Sequence, residues 1–314
     1  MNFIINILSL GIPFSVALLV ASLGEMFNQR AGIFNLGCEG IMSMGAFLGM
    51  LVPYAVGHGG DTNGIYNFLG LLLASGAGAL LGLFFGLIVV TFRAPQGIAG
   101  IGLQMFGVGA AGTLFRHFIG GTQSVQGIGT TNIPFLSKIP VLGPVLFSHN
   151  IMVYIAFLMV PLAWFLLMKT PWGLEVRAVG TYPRAADSIG IPVNRIRYEA
   201  LALGGAMAGL AGAYLSLCQA KMFSDGIIAG RGFIAVALVY FGHWNPVKIM
   251  WGALLFSLAQ SLQLAIQGLG INFPYEFAVM LPYVLVIVVL AFDRENQRFG
   301  PTALGQPFNR EIRT

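Results

Sequence analysis

The stretch Gly24–Gly40, GEMFNQRAGIFNLGCEG, decides how this chain is read. It carries Glu25, Asn28, Arg30, Asn35 and Glu39, yet apolar runs flank it on both sides. The question it raises is why so apolar a chain places Asn35 and Glu39 at what reads as the start of a membrane helix. Working outward, apolar residues make up 57% of the chain and charged residues 9%, with mean hydropathy +0.82. A soluble domain carries about 25% charged residues, so an integral membrane domain is the expected class. The 43 glycines fit that class, because small residues let membrane helices approach closely.

A spanning helix needs roughly 17–25 mostly apolar residues. Stretches that qualify are 3–23, 32–56, 66–92, 97–118, 150–168, 198–218, 229–243, 247–267 and 275–292, the seventh being short enough to be broken or re-entrant. MNFIINILSLGIPF has no basic n-region or small-residue cleavage site, so it is expected to stay as a membrane helix. Residues 119–149 are rich in Gly, Thr, Ser and Pro, and residues 169–197 are polar with five basic side chains.

The net charge is +5, and cytoplasmic loops collect Lys and Arg. Placing 169–197 in the cytoplasm puts Arg30, Arg93, Lys169, Arg177, Arg184, Arg195, Arg197, Lys248, Arg294, Arg298, Arg310 and Arg313 inside. Lys138 and Lys221 then fall outside, with Arg116 and Arg231 near outer helix ends. The expectation is a multi-pass chain with its N-terminus out and its C-terminus in, and no nucleic acid partner. Within the sixth span, GGAMAGLAGA sets Gly204, Ala208 and Gly212, and also Gly205 and Gly209, at four-residue intervals. Such a groove lets another helix pack at close range.

Several chemistries lack their residues. No Gly-Lys pair forms a P-loop, and no HExxH, GxSxG or CxxC occurs. Cys38 and Cys218 sit in apolar runs, and the four histidines lack metal-ligand spacing, so neither a disulfide framework nor a metal site is expected. Catalytic residues are expected to be absent. Proton-coupled carriers use intramembrane Asp, Glu or His relays, and Glu39 reads as the one acid well inside a span.

The segment WGLEVRAVGTYPRAADSIGIPVNRIR lies between the fifth and sixth spans. Pro183 suits a first helical turn, PRAADSI completes a short helix, Gly190 ends it and Pro192 blocks continuation. Ala185, Ala186 and Ile189 would form a small apolar face beside Arg184 and Asp187, either docking on a soluble partner or forming part of an ordinary solvated loop.

RAVGTYPRAADSIGI resembles the coupling loop of ABC importer permeases of the branched-chain amino acid, ribose and nucleoside class. The matching residues are Arg177, Ala178, Gly180, Pro183, Ala185, Ala186, Gly190 and Ile191, with Tyr182 where Asn is usual. The opening stretch is similar to that family through Arg30, Ala31, Gly32, Asn35, Leu36, Gly37, Glu39, Gly40 and Met42, with Gln29 where Glu is usual. GRGFIAVALVYFGHWNP matches a later family region in outline, and PTALGQPFNREIR resembles the ending of the shorter permease of purine nucleoside systems. The resemblance implies an ATP-binding cassette partner, a second related permease or second copy, an extracytoplasmic substrate-binding protein and a prokaryotic inner membrane. It also implies a coupling contact through Arg177, Gly180, Tyr182, Pro183, Arg184, Ala185, Ala186, Asp187, Gly190 and Ile191. ATP and Mg would sit on the partner, and no cofactor on this chain.

Asn35 and Glu39 are four apart and would share a helix face, either lining a path or locking neighbouring helices. The second and seventh spans are both Gly-interrupted and run in opposite senses, a pattern that points to a midplane path. Gln104 beside Phe106 would meet a nucleobase by hydrogen bonding and stacking, or satisfy a helix contact. Gln260, Gln263 and Gln267 share one face of the eighth span. The expected path residues are Asn35, Glu39, Gln104, Phe106 and Phe233.

The expected fold is an all-α polytopic bundle of about 8–10 transmembrane helices, with room for broken or re-entrant helices and an inverted repeat. Residues 1–314 are expected to form one permease domain, with a cytoplasmic coupling loop at 169–197 and an extracytoplasmic segment at 119–149. The expected function is the permease subunit of an ATP-driven importer of a nucleoside or related purine. A simple sugar such as ribose is the alternative within the class, and a self-sufficient secondary transporter the alternative outside it.

Overall fold

The computed structural model describes residues 2–57, 64–121, 123–132, 142–268 and 300–309, and singly Met280, Val284, Ile287 and Val288. It is an all-α bundle. In chain order the elements are α1 (Asn2–Arg30), α2 (Cys38–Gly57), α3 (Gly64–Gly86), α4 (Gln96–Phe118), β1 (Thr131–Asn132), α5 (Leu142–Leu146), β2 (Ser148–His149), α6 (Ile151–Lys169), α7 (Pro171–Thr181), α8 (Pro183–Ser188), α9 (Val193–Tyr214), α10 (Arg231–Phe241) and α11 (Pro246–Gly268). Short π-helical turns, Leu87–Thr91 and Leu215–Gln219, extend α3 and α9.

Among the described residues, seven helices are long and apolar enough to cross a membrane. They correspond to seven of the predicted spans. The predicted seventh span is α10, whose eleven residues rise only about 16 Å against a hydrocarbon core of about 30 Å. It is therefore a half-helix, preceded by non-helical backbone at 220–230. The predicted span 275–292 lies outside the described residues, apart from four single positions.

α9 is the central post, and α1, α2 and α3 pack on it. The reason is the small-residue ladder read in the sequence. A Cβ on Gly78 would stand 3.0 Å from the Gly209 Cα, and one on Gly45 only 2.7 Å from that same atom. No side chain larger than hydrogen fits where these backbones cross. The outward faces of α3, α4, α6 and α11 expose large apolar side chains such as Leu80, Ile98, Leu158 and Trp251, as a lipid-facing surface requires.

The bundle has two distinct ends. At one end lie Arg30, Arg93, Lys169, Arg177, Arg184, Arg195, Arg197 and Lys248, with α7, α8 and residues 300–309. At the other, the segment after α4 folds back over α3 and α9. There Asn67 Nδ2 donates to Gly127 O at 2.9 Å, and Val125 N donates to Lys221 O at 2.9 Å. Arg116 pairs with Asp225 at 2.7 Å, and β1 and β2 form a two-residue antiparallel ladder.

Two boundaries differ from the sequence reading. α1 runs on to Arg30, taking Glu25, Asn28 and Gln29 into the helix, and α2 begins only at Cys38. The segment expected as a polar loop after Lys169 contains a further helix, α7. Thr170 Oγ1 accepts from Gly173 N at 3.1 Å and Pro171 sits in its first turn, so this helix starts as soon as α6 ends.

Candidate functional site

The basic end presents α8 as its most prominent feature. Tyr182 precedes Pro183, the helix ends at Ser188, and Gly190 takes φ +91°, so the chain turns where only glycine does so without strain. Tyr182 is 66% exposed and Ile189 77%. Arg184 and Ala185 are exposed, and Pro183, Asp187 and Ile191 are half-buried. Ala186 is only 2% exposed, which corrects the expected outward face. The helix turns Ala186 to the core and presents Tyr182, Ala185 and Ile189 instead. Gly180 is also interior: its Cα lies so close to the Arg30 carbonyl that a side chain has no room. A cleft of about 780 Å³ opens beside α8, bounded by Arg93, Arg184 and residues 302–309.

Behind this end lies a buried polar network built from the opening stretch. Glu25, 1% exposed, accepts from Asn28 Nδ2 at 2.8 Å and from the Asn35 backbone N–H at 3.1 Å. Gln29 Oε1 accepts from Trp244 Nε1 at 2.9 Å, and Arg30 Nη2 donates to Trp244 O at 3.0 Å. Phe34 N donates to Gln96 Oε1 at 2.7 Å, which fixes α4 to the same turn. These bonds offset much of the cost of burying the groups, although Asn28 Oδ1 and Gln96 Nε2 find no partner among the described residues.

Asn35 lies in the turn between α1 and α2, where its Oδ1 accepts from Gly37 N at 2.9 Å. The expected helix face shared with Glu39 is therefore not formed: Gly32, at φ +85°, and the turn that follows break the helix between α1 and α2. Glu39 sits in the first turn of α2 and reaches the start of α10. Its two carboxylate oxygens accept from Gly230 N at 2.8 Å and Gly232 N at 2.7 Å. A carboxylate at a helix N-terminus meets orphan N–H groups and the positive end of the dipole. Glu39 thus joins the two interrupted helices at their starts.

Gln104 is half-buried on α4, where its Cα would lie 2.7 Å from a Cβ on Gly40, beside Glu39. Phe233 follows Gly232 on α10 and is 40% exposed. Glu39 of α2 thus has α4 beside it at Gln104, through Gly40, and α10 beside it at Gly232, next to Phe233, while Phe106 stands on the open outer face of α4.

Residues 4–290 match the family described as the branched-chain amino acid transport system, permease component. The chain belongs to this permease family. It is 36% identical to the guanosine ABC transporter permease protein NupQ of Bacillus subtilis, across 97% of this chain and 98% of that one. It is also 36% identical to the nucleoside ABC transporter permease protein NupC of Lactococcus lactis, across 88% and 89% of the two chains. A protein of Haloferax volcanii named for glucose transport, TsgC13, is 33% identical across 99% and 100%. No solved structure matches.

As an ABC permease, the chain is the membrane component of a transport system that also needs ATP-binding and substrate-binding partners. Two features of this permease escaped sequence reading. Glu25 is a second acid inside a span, and its signal was present: Glu25, Asn28 and Gln29 are spaced i, i+3 and i+4, one face of a helix. Arg197, fully buried near the start of α9, carried no signal beyond its place in a basic run.

Proposed function

We propose that this chain supplies half of the translocation path of an ATP-driven importer for a nucleoside or related purine, delivered by an external binding protein. The observation that carries the reading is α8: a short, outward-standing helix at the basic end, framed by Pro183 and Gly190 and joined to the bundle by a glycine-tight contact at Gly180. Such an element suits a push from a soluble partner. The names of NupQ and NupC support the substrate class.

In this reading residues 1–314 are one permease domain, 169–197 lie in the cytoplasm as the coupling segment, and 119–149 lie outside. The gathering of basic residues at the α8 end supports a C-terminus in and an N-terminus out. The assembly holds ATP-binding cassettes, a second related permease or second copy, and the binding protein. ATP and Mg sit on the cassettes, and this chain holds no cofactor. Phe106 and Phe233 remain open on one chain, which fits a path completed by the second permease, with Gln104 and Glu39 behind them and Asn35 supporting the α1–α2 turn. A simple sugar is the second reading, favoured by the full-length likeness to TsgC13.

The test is reconstitution of the co-purified complex in proteoliposomes with labelled guanosine, ribose and glucose. ATP-dependent guanosine uptake is expected. Uptake of sugar alone would shift the substrate class, and uptake by this chain without ATP or partners would overturn the reading.

A further inference from the structure

Residues 300–309 lie across the basic end and tie separate turns together. Thr302 Oγ1 donates to Thr181 O, and Ala303 N donates to Gly180 O at 3.0 Å. Gly305 N donates to Gly32 O at 3.1 Å, and Gly300 packs against the Trp244 ring. The tail thus binds the α7–α8 junction, the α1–α2 turn and the α10–α11 turn to one another.

Arg197 lies in the bundle behind these turns, 1% exposed. Its Nε and Nη2 find no acceptor among the described residues, and it belongs to neither ion pair found there. Tail, α7 and Arg197 come together at Gly32: a Cβ on Gly32 would stand 3.2 Å from Arg197 Nη2, 3.3 Å from Ala303 O and 3.5 Å from Gly180 Cα. A buried guanidinium whose Nε and Nη2 have no acceptor among the described residues disfavours the arrangement that encloses it. Lifting the tail would let water reach that charge, so the closed arrangement carries a bias towards opening.

We propose that residues 300–309 are a releasable latch, and that Arg197 is the positioning residue that keeps the latch ready to open. The proposal rests on the importer reading, because the opening force is the cassette's push on α8. Latched, α8 is tied to the α1–α2 turn, and through Asn35 and Glu25 to the region where Glu39 meets α10. Released, α8 moves while Arg197 hydrates.

The test pairs stability with transport in the whole complex. Arg197→Met removes the charge and keeps apolar bulk, so the melting temperature should rise by about 2–4 °C or more. ATP-driven uptake should fall by roughly five-fold or more, with the cassettes still bound. Arg197→Lys, which keeps a charge, should retain most uptake. Thr181→Cys combined with Thr302→Cys should stop uptake when oxidised and restore it on reduction. A lower or unchanged melting temperature in Arg197→Met, or full uptake with the cysteines cross-linked, overturns the latch. Absence of ATP-driven uptake in the unaltered complex would sink the importer reading instead, and the melting arm would still report on Arg197.

Discussion

At the scale of the residue, Glu39 is the sharpest case. Its carboxylate receives two backbone N–H groups from the start of α10. Glu39→Leu leaves the buried Gly232 N–H and the half-buried Gly230 N–H without their acceptor, at a cost of about 1–3 kcal/mol for the buried one and less for the other. Thermal unfolding of the purified chain in detergent should show the loss, and Glu39→Gln, which keeps one acceptor oxygen, should recover part of it. Uptake per folded molecule separates the two roles. A path residue loses transport in the Gln variant beyond its loss of stability, whereas a purely structural cap does not. The sequence showed that Glu39 was out of place in an apolar run, because a charge among apolar residues is visible without a structure. It did not show the partner, since Gly230 and Gly232 lie some 190 positions away and glycine advertises no donor. Glu25 is less legible for a related reason: Asn28 and Gln29 beside it give the stretch a polar composition, and only the helical register puts all three on one buried face.

At the scale of the element, α8 and α9 were legible in detail. Pro183, Gly190 and Pro192 set the ends of α8 by local backbone chemistry, which needs no tertiary contact. The direction in which the helix faces was not local, and Ala186 turned inward. The surface test therefore belongs to Ala185→Trp and Ile189→Glu. Both should abolish co-purification of the ATP-binding partner while leaving the permease folded and inserted. Ala186→Trp should instead lower the yield of folded protein, because that side chain is enclosed. The glycine ladder of α9 makes a separate prediction. Gly45→Val places a branched side chain where the Gly209 Cα lies 2.7 Å from the Cβ position, forcing α2 away from α9. Overpacking typically costs about 1–3 kcal/mol, and because backbone lies on both sides, the expected result is at or beyond the top of that range, measured as loss of monodisperse protein in gel filtration. α7 was missed as an element although Thr170-Pro171 signals a helix start, because its polar composition outweighed its capping signal.

At the scale of the whole molecule, the two ends of the bundle give the proposed orientation its test. A cysteine placed at Ser188 should react with a membrane-impermeant thiol reagent only from the cytoplasmic side, and one at Ser124 only from outside. The reverse pattern would invert the topology. The sequence by itself determined the class, the bundle of apolar helices, their approximate limits and the family, because hydropathy, glycine spacing and turn chemistry act over a few residues and are written where they act. Only the tertiary structure decided that α10 is a half-helix started by a carboxylate from α2, that the opening stretch folds into a buried network around Trp244, and that residues 300–309 close over turns behind which Arg197 is buried with no acceptor for Nε or Nη2 among the described residues. Each of these joins residues far apart in the chain, and which distant groups meet follows from packing the whole bundle, not from any local pattern.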